Sequence, residues 1–231
     1  MCWNWQVSLG SFLFISIVAK KLYERNGVYD RLTAIVFFIG GFMQFLEFGM
    51  WKTLNNLLLN RIFSFLACFI ILLHPIAIYF GIKKDKLDKE LQKEKDYSKK
   101  NRLMRGLLFA SVCYLLFGSY KIIDYTLIKN FSEYKFLALP DKNTGGLSWS
   151  FPGYYNHTLI IAIFYAILIS SYNWLYPVIL VSLWIIIALI INIFISFDSP
   201  FVFNNVAGSY WCLYTAILII LFYYMNPYLV K

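Results

Sequence analysis

Seven long apolar stretches constrain this chain more than any other feature of its sequence. A helix needs about 20 residues to cross roughly 30 Å of hydrocarbon, and each stretch is of about that length. Of the 231 residues, 60% are hydrophobic and 14% are charged, more apolar material than a water-soluble core of this size holds. The sequence therefore predicts an all-α, polytopic membrane helix bundle. Its seven predicted transmembrane helices are Trp5–Leu22, Arg31–Trp51, Ile62–Ile82, Met104–Thr126, His157–Tyr172, Trp174–Ile195 and Ala207–Met225.

The distribution of positive charge predicts the orientation of the bundle. If the N-terminus lies outside, fifteen of the 21 Lys and Arg fall on inner connections and five on outer ones, with Lys121 inside a span. Cytosolic loops carry such an excess, so we predict an outer N-terminus and a cytosolic C-terminus. The net charge of +9 then reflects the loops, and we predict a lipid bilayer and no nucleic acid as the partner.

The chain is predicted to form a single transmembrane domain, residues 1–231, whose main inner connection is residues 83–105. This connection mixes ten basic with five acidic residues. Pairs at i,i+4 spacing, such as Asp85 with Lys89, predict that it extends the third helix into the cytosol. Its positive excess would attract anionic lipid headgroups, although a solvated anchor for the topology is the preferred interpretation.

The main outer connection, residues 129–156, combines turn-forming residues with aromatic ones. Pro140, Gly145 and Gly146 lie close to Trp149 and Phe151 in the sequence. So many aromatic side chains favour a segment that folds back over the bundle as a lid, and anchoring at the membrane interface is an equal alternative. Two N-glycosylation acceptor patterns, at Asn130 and Asn156, lie on the predicted outer side.

Polar residues within the predicted spans are the candidates for a functional site. The second span carries Gly40, Gln44, Glu47 and Trp51 at spacings of four, three and four residues, which places them on one helical face. Charged groups in a span usually face the bundle interior or a wet cavity. This stripe is therefore predicted to face inward.

Further polar residues are predicted at a similar depth in other spans. Lys121 and Asp124 are three residues apart, and Glu47 pairs with Lys121 or shares it with Asp124, a choice that the sequence leaves open. Together these spans predict an outward-facing polar chamber, with interhelical hydrogen bonding as the competing interpretation. The other residues assigned to the chamber are Asn192, Trp211 and Cys212.

A histidine and a proline interrupt the third span. Pro75 cannot donate a hydrogen bond to Ile71, so it bends the helix beside the titratable ring of His74. A gate or proton relay is one interpretation of this pair. The preferred one is a neutral histidine that satisfies the kink.

The four cysteines have no spacing typical of a metal site, and we predict no metal and no cofactor. Cys2 and Cys212 both lie near the predicted outer surface, where an oxidising compartment permits a disulfide. Unpaired thiols packed as small apolar groups are preferred over that disulfide.

Several short motifs resemble those of a family of small multi-pass membrane proteins of large DNA viruses and unicellular eukaryotes. They are Met1-Cys2-Trp3 with Ser8, Asp30-Arg31, Gln44, Glu47-Phe48 and Trp51, with His74-Pro75 and Gly208-Ser209-Tyr210-Trp211-Cys212 further along. The likeness covers the first fifty or so residues and two later patches. It implies a multi-pass fold and brings no activity.

Three functions fit this pattern. The preferred one is a transporter or channel for a small solute or ion, entered from outside. The second is a receptor-like or structural membrane protein in which polar groups only join the helices. The third is a lipid-modifying enzyme with Cys212 or Ser8 as nucleophile and Glu47 or His74 as base. The sequence leaves the substrate and the oligomeric state open.

Overall fold

The computed structural model describes residues 4–93, 95–123, 137–140, 147–148 and 206–228, and most of them are helical. The helices are α1 (Trp5–Arg25), α2 (Asp30–Lys52), α3 (Leu57–Lys84), α4 (Lys86–Leu91), α5 (Tyr97–Ile123) and α6 (Val206–Met225), and a 3-10 turn follows α6 at Asn226–Tyr228. Two short strands, β1 (Leu139–Pro140) and β2 (Leu147–Ser148), pair antiparallel. The predicted helical class is confirmed for these residues.

Three described helices are long and apolar enough to cross a membrane: Asp30–Lys52, Leu57–Lys84 and Tyr97–Tyr120. They coincide with the second, third and fourth predicted spans. Helices α1 and α6 occupy the predicted first and seventh spans, and α1 carries the polar residues Gln6, Lys20 and Lys21. The predicted spans His157–Tyr172 and Trp174–Ile195 lie outside the described residues.

Helix α2 is the centre of the described bundle. It packs against α1 and α3, α6 contacts both α1 and α2, and α5 packs on α3. The side chains of Leu22, Leu32, Ile78 and Phe222, from α1, α2, α3 and α6 respectively, are fully buried in one core. In lipid, such contacts stabilise the bundle through close packing, because the surrounding chains are as apolar as the core itself.

Two glycines allow the helices to approach closely. A Cβ at Gly41 of α2 would lie 2.7 Å from the Cγ2 atom of Ile15 in α1. A Cβ at Gly81 of α3 would lie 2.9 Å from Leu32 Cδ1 and 3.2 Å from Leu32 Cα. The second contact involves the main chain of α2, so a side chain at Gly81 cannot be accommodated by a rotamer change alone.

The inner connection differs from its prediction. Helix α3 ends at Lys84, the extended backbone of Asp85 (ψ 155°) separates it from the short α4, and α5 already begins at Tyr97. The prediction that residues 83–105 continue the third helix is therefore wrong beyond Lys84. The physical reason is that Asp85 binds the start of α2 with both carboxylate oxygens, which turns the chain away from the helix axis.

We expect Gly81→Ala to lower the free energy of unfolding by about 1–3 kcal/mol, because the added methyl group forces α2 and α3 apart. The matched control is Gly10→Ala, since nothing lies within 4 Å of a Cβ at Gly10. Alanine favours the helix over glycine by about 1 kcal/mol, so the control should be neutral or stabilising. Melting temperatures of both variants in detergent check this, and equal values would contradict the close contact.

Candidate functional site

The polar stripe of the second span lies on the buried face of α2. Gly40 is buried, the side chains of Gln44 and Glu47 are 0% and 2% exposed, and Trp51 is half-buried. The spacing of these four residues in the sequence predicts that they share this face of α2. A carboxylate held inside a span is costly, so Glu47 is the described residue that most demands a functional or structural explanation.

His74 of α3 points toward this stripe. Its Nδ1 atom lies 2.9 Å from the carbonyl oxygen of Ile70 and donates to it in the neutral ring, which leaves Nε2 as the basic nitrogen. A Cβ at Gly40 would lie 3.7 Å from that Nε2 atom and 4.0 Å from Thr215 Cγ2 of α6. The imidazole therefore lies against α2 at Gly40, one helical turn from Gln44, and Thr215 of α6 approaches the same point.

Asn60 joins the outer connection to the helices, a contact that sequence reasoning missed. Its buried amide donates from Nδ2 to the carbonyl oxygens of Met50 (3.1 Å) and Ala138 (3.2 Å), and its Oδ1 accepts from the Ala138 N–H (2.8 Å). Leu137, Ala138 and Leu147 are buried. The described parts of the 129–156 connection thus lie against the neighbouring ends of α2 and α3.

The remaining candidate residues, or their side chains, lie outside the part of the chain that the structure describes. Asp124 and Asn192 lie outside the described residues, as do Cys2, Asn130 and Asn156. Lys121 lies in α5, and Trp211 and Cys212 lie in α6, but their side chains are outside the description. The Glu47–Lys121 pair and the Cys2–Cys212 disulfide therefore stay predictions.

Within the described ranges, Cys68 and Cys113 are free thiols, and no three residues among His, Cys, Asp and Glu form a group able to hold a metal ion.

A second polar region, which the sequence analysis did not predict, occupies the end of the bundle where α1 and α3 terminate. We call it the basic end, after Arg25, Arg31, Lys83 and Lys84. Its centre is Asp30, the first residue of α2, whose side chain is fully buried.

The Asp30 carboxylate accepts four hydrogen bonds. Arg25 donates two of them, from Nε (2.7 Å) and Nη2 (2.6 Å), in a bidentate ion pair. The Gly27 N–H donates at 2.7 Å and Asn226 Nδ2 at 3.0 Å. Asn226 also donates to Thr33 Oγ1 at 3.2 Å. These contacts tie α1, the α1–α2 turn, α2 and the turn after α6 to one carboxylate.

Arg25 extends this network toward α6. Its Nη1 atom donates to the carbonyl oxygen of Tyr223 at 2.6 Å, and its guanidinium lies 4.6 Å from the centre of the Tyr223 ring. The hydrogen bond to Asp30 raises the pKa of the Arg25 guanidinium, while burial acts in the opposite direction. Arg25 is therefore a permanent cation at this position.

Asp85, the residue that follows α3, caps the N-terminus of α2. Tyr29 has a left-handed backbone (φ 68°), unusual for a bulky residue, and no local side chain caps α2. The Tyr29 N–H and the Leu32 N–H donate to the two oxygens of Asp85 at 2.8 and 3.0 Å. A carboxylate at a helix N-terminus satisfies free N–H groups and complements the helix dipole. The end of α3 is thereby fixed to the start of α2.

Lys83 and Tyr97 join α4 and α5 to the same end. Lys83 Nζ lies 2.9 Å from Asp88 Oδ1 and 3.3 Å from the Tyr97 hydroxyl. Gln92 donates to the second Asp88 oxygen at 3.1 Å.

The described part of the bundle thus has two polar regions: the basic end, where hydrogen bonds join all the described helices, and the α2 stripe facing His74. No family model, curated protein or solved structure matches the chain.

We expect Asp30→Asn to lower the free energy of unfolding by about 2–3 kcal/mol, because the amide keeps the size of the carboxylate but loses its charge-assisted hydrogen bonds to Arg25. The control is Glu24→Gln, which removes the same charge from an exposed i,i+4 pair with Lys20. That pair contributes about 0.5 kcal/mol at most. Thermal unfolding in detergent compares the two variants, and a control as damaging as Asp30→Asn would refute the special role of Asp30.

Proposed function

We propose that the chain spans the membrane seven times, with its N-terminus outside and the basic end in the cytosol. Helices α1, α3 and α6 terminate at the basic end, where Asn226 meets Asp30. Helices α2 and α5 begin there. Because α5 leaves this end and α6 returns to it, the chain between them must cross an even number of times. The two predicted spans in that interval supply such a number.

The grouping of basic residues at one end supports the same orientation, since cytosolic segments carry the excess of Lys and Arg. We also propose that residues 83–105 attract anionic headgroups, and that the chain is related to the viral and protist membrane family that its motifs resemble.

We infer that the protein is a transporter or channel for an ion or small solute that enters from the outer face. The observation that carries this proposal is Glu47, a 2% exposed carboxylate on the central helix, aligned with the buried amide of Gln44. A group that only joins helices needs no charge, since a hydroxyl or amide forms the same interhelical bonds. Intramembrane carboxylates typically mark ion and proton routes.

His74 extends this candidate route toward the basic end. Its Nε2 atom faces α2 at Gly40, one turn from Gln44. A titratable side chain beside the α2 stripe supports a gate between an outer chamber and the basic end. Pro75, the next residue, removes one helix hydrogen bond, which makes this part of α3 easier to bend.

A structural or receptor-like protein is the second candidate. It is favoured by the basic end, where the charged groups Asp30, Arg25 and Lys83 are paired inside the protein. The enzyme hypothesis has less support, because the Ser8 hydroxyl is buried and donates to the carbonyl oxygen of Asn4 at 3.2 Å in its own helix.

Glu47→Gln is the direct test of the transport proposal. In vesicles containing the full chain, we expect proton or monovalent-cation flux to fall at least about tenfold, equivalent to about 1.4 kcal/mol in the barrier, because the amide cannot carry the charge. Glu24→Gln, on the exposed face of α1, should leave the flux unchanged. A pH-sensitive dye inside the vesicles and a cation electrode measure the two fluxes. Flux that is absent from the unaltered protein, or identical in Glu47→Gln, would favour the structural alternative.

Lys100→Cys and Lys142→Cys test the orientation, in a chain whose own cysteines are replaced by alanine. We expect a membrane-impermeant maleimide to label Lys142→Cys in intact cells and Lys100→Cys only after permeabilisation, because the two positions lie on opposite sides in the seven-span arrangement. Labelling of both positions in intact cells would exclude that arrangement. Both variants must also be labelled after permeabilisation, which confirms that each thiol is reactive.

A further inference from the structure

A groove of about 330 Å³ lies between α1 and α6 near the basic end. It is lined by Phe14, Val18 and Lys21 of α1 and by Ile220, Tyr223 and Tyr224 of α6. On α1 the successive spacings are four and three, and on α6 the two tyrosines lie three and four positions after Ile220, so each set shares one face of its helix. The groove is therefore a feature of two packed helices rather than of a loop.

The chemistry of the groove changes along its length. Both helices terminate at the basic end, so Phe14 and Ile220 lie further into the span, and Lys21, Tyr223 and Tyr224 lie at the mouth. Phe14 and Lys21 are seven positions apart on the helix, about 10 Å along its axis. Phe14 and Ile220 are each 38% exposed. The groove thus presents an apolar floor and a mouth with one cation and two phenol rings.

Lys21 is the cation available to a ligand at this mouth. Its side chain is exposed, and in the described part of the chain no carboxylate lies within 4.0 Å of it. The neighbouring Arg25 is already bound to Asp30. Lys20 lies 3.8 Å from Glu24 and lines a different groove, between α1 and α2. The two adjacent lysines therefore differ in their pairing and in the groove they face.

We propose that this groove binds one anionic phospholipid from the leaflet at the basic end. Lys21 binds the phosphate, the Tyr223 and Tyr224 rings lie at the headgroup level, as aromatic residues of membrane proteins do, and an acyl chain lies along Phe14, Val18 and Ile220. The charge favours an anionic headgroup over a zwitterionic one. A basic residue near the membrane surface contributes about fivefold in affinity for anionic lipid.

The site differs from the diffuse attraction of residues 83–105, because it combines one cation with an apolar groove of defined lining. It is also independent of transport through Glu47, which lies on α2. A failure of the lipid experiment therefore leaves the flux experiment unaffected, and the reverse also holds.

Native mass spectrometry of the full chain tests the proposal. The protein is released from detergent micelles containing equal amounts of palmitoyl-oleoyl phosphatidylserine and palmitoyl-oleoyl phosphatidylcholine. We expect the unaltered chain to retain one phosphatidylserine in preference to phosphatidylcholine, Lys21→Gln to reduce that preference about fivefold, and Lys20→Gln to leave it unchanged. Equal losses in both variants would show a general surface-charge effect and would overturn the site. An unchanged lipid preference in both variants would overturn it as well.

A second pair of variants tests the acyl-chain part of the groove. Val18→Phe fills the groove and should displace the bound lipid, while Ile17→Phe introduces the same side chain at a neighbouring position that is 57% exposed and does not line the groove. Retention that is equal in the two variants would overturn the groove as the binding site. Inorganic phosphate at millimolar concentration should not displace the lipid, and displacement by it would show a simple anion site instead.

Discussion

The buried carboxylate of Asp30 is the group on which the arrangement of the described helices depends most. An unpaired charge in this position would be strongly unfavourable, so the fold must supply donors. It does so from three residues: Arg25 at the end of α1, Gly27 in the turn between α1 and α2, and Asn226 after α6. The directions of α1, α2 and α6 at this end are fixed together because the same four hydrogen bonds require all three.

The remaining contacts at the basic end also join polar groups from separate helices, with different residues. Asp85 supplies the cap that α2 lacks locally, and Lys83 holds Asp88 and Tyr97 beside the end of α3. The opposite region has a different character. There, one carboxylate and one amide lie on the buried face of α2, and a histidine of α3 faces the same helix. The basic end is thus a network of paired charges, whereas the α2 stripe presents a buried carboxylate and a buried amide on one face of a single helix.

The apolar stretches were sufficient to predict α2, α3 and most of α5, because length and hydropathy determine which segments form membrane helices. The spacing of Gln44 and Glu47 was sufficient to predict their buried face, because helical periodicity is a local property. The basic end could not be predicted in this way. Asp30 and Asn226 are 196 residues apart, and the nearest sequence partners of Asp85 suggested an i,i+4 pair instead of a cap for another helix. The one local indication of the basic end was Asp30 itself, an acidic residue next to Arg31 at the start of an apolar helix.

The contacts of Asp30 also imply an order of events during synthesis. The ribosome delivers Arg25, Gly27 and Asp30 almost together, and Asp85 follows 53 residues after Leu32, so α1, α2 and α3 have their mutual contacts early. Asn226 emerges 196 residues after Asp30. Until then one donor to the Asp30 carboxylate is missing, and that vacancy gives α6 a specific docking position on the helices that precede it.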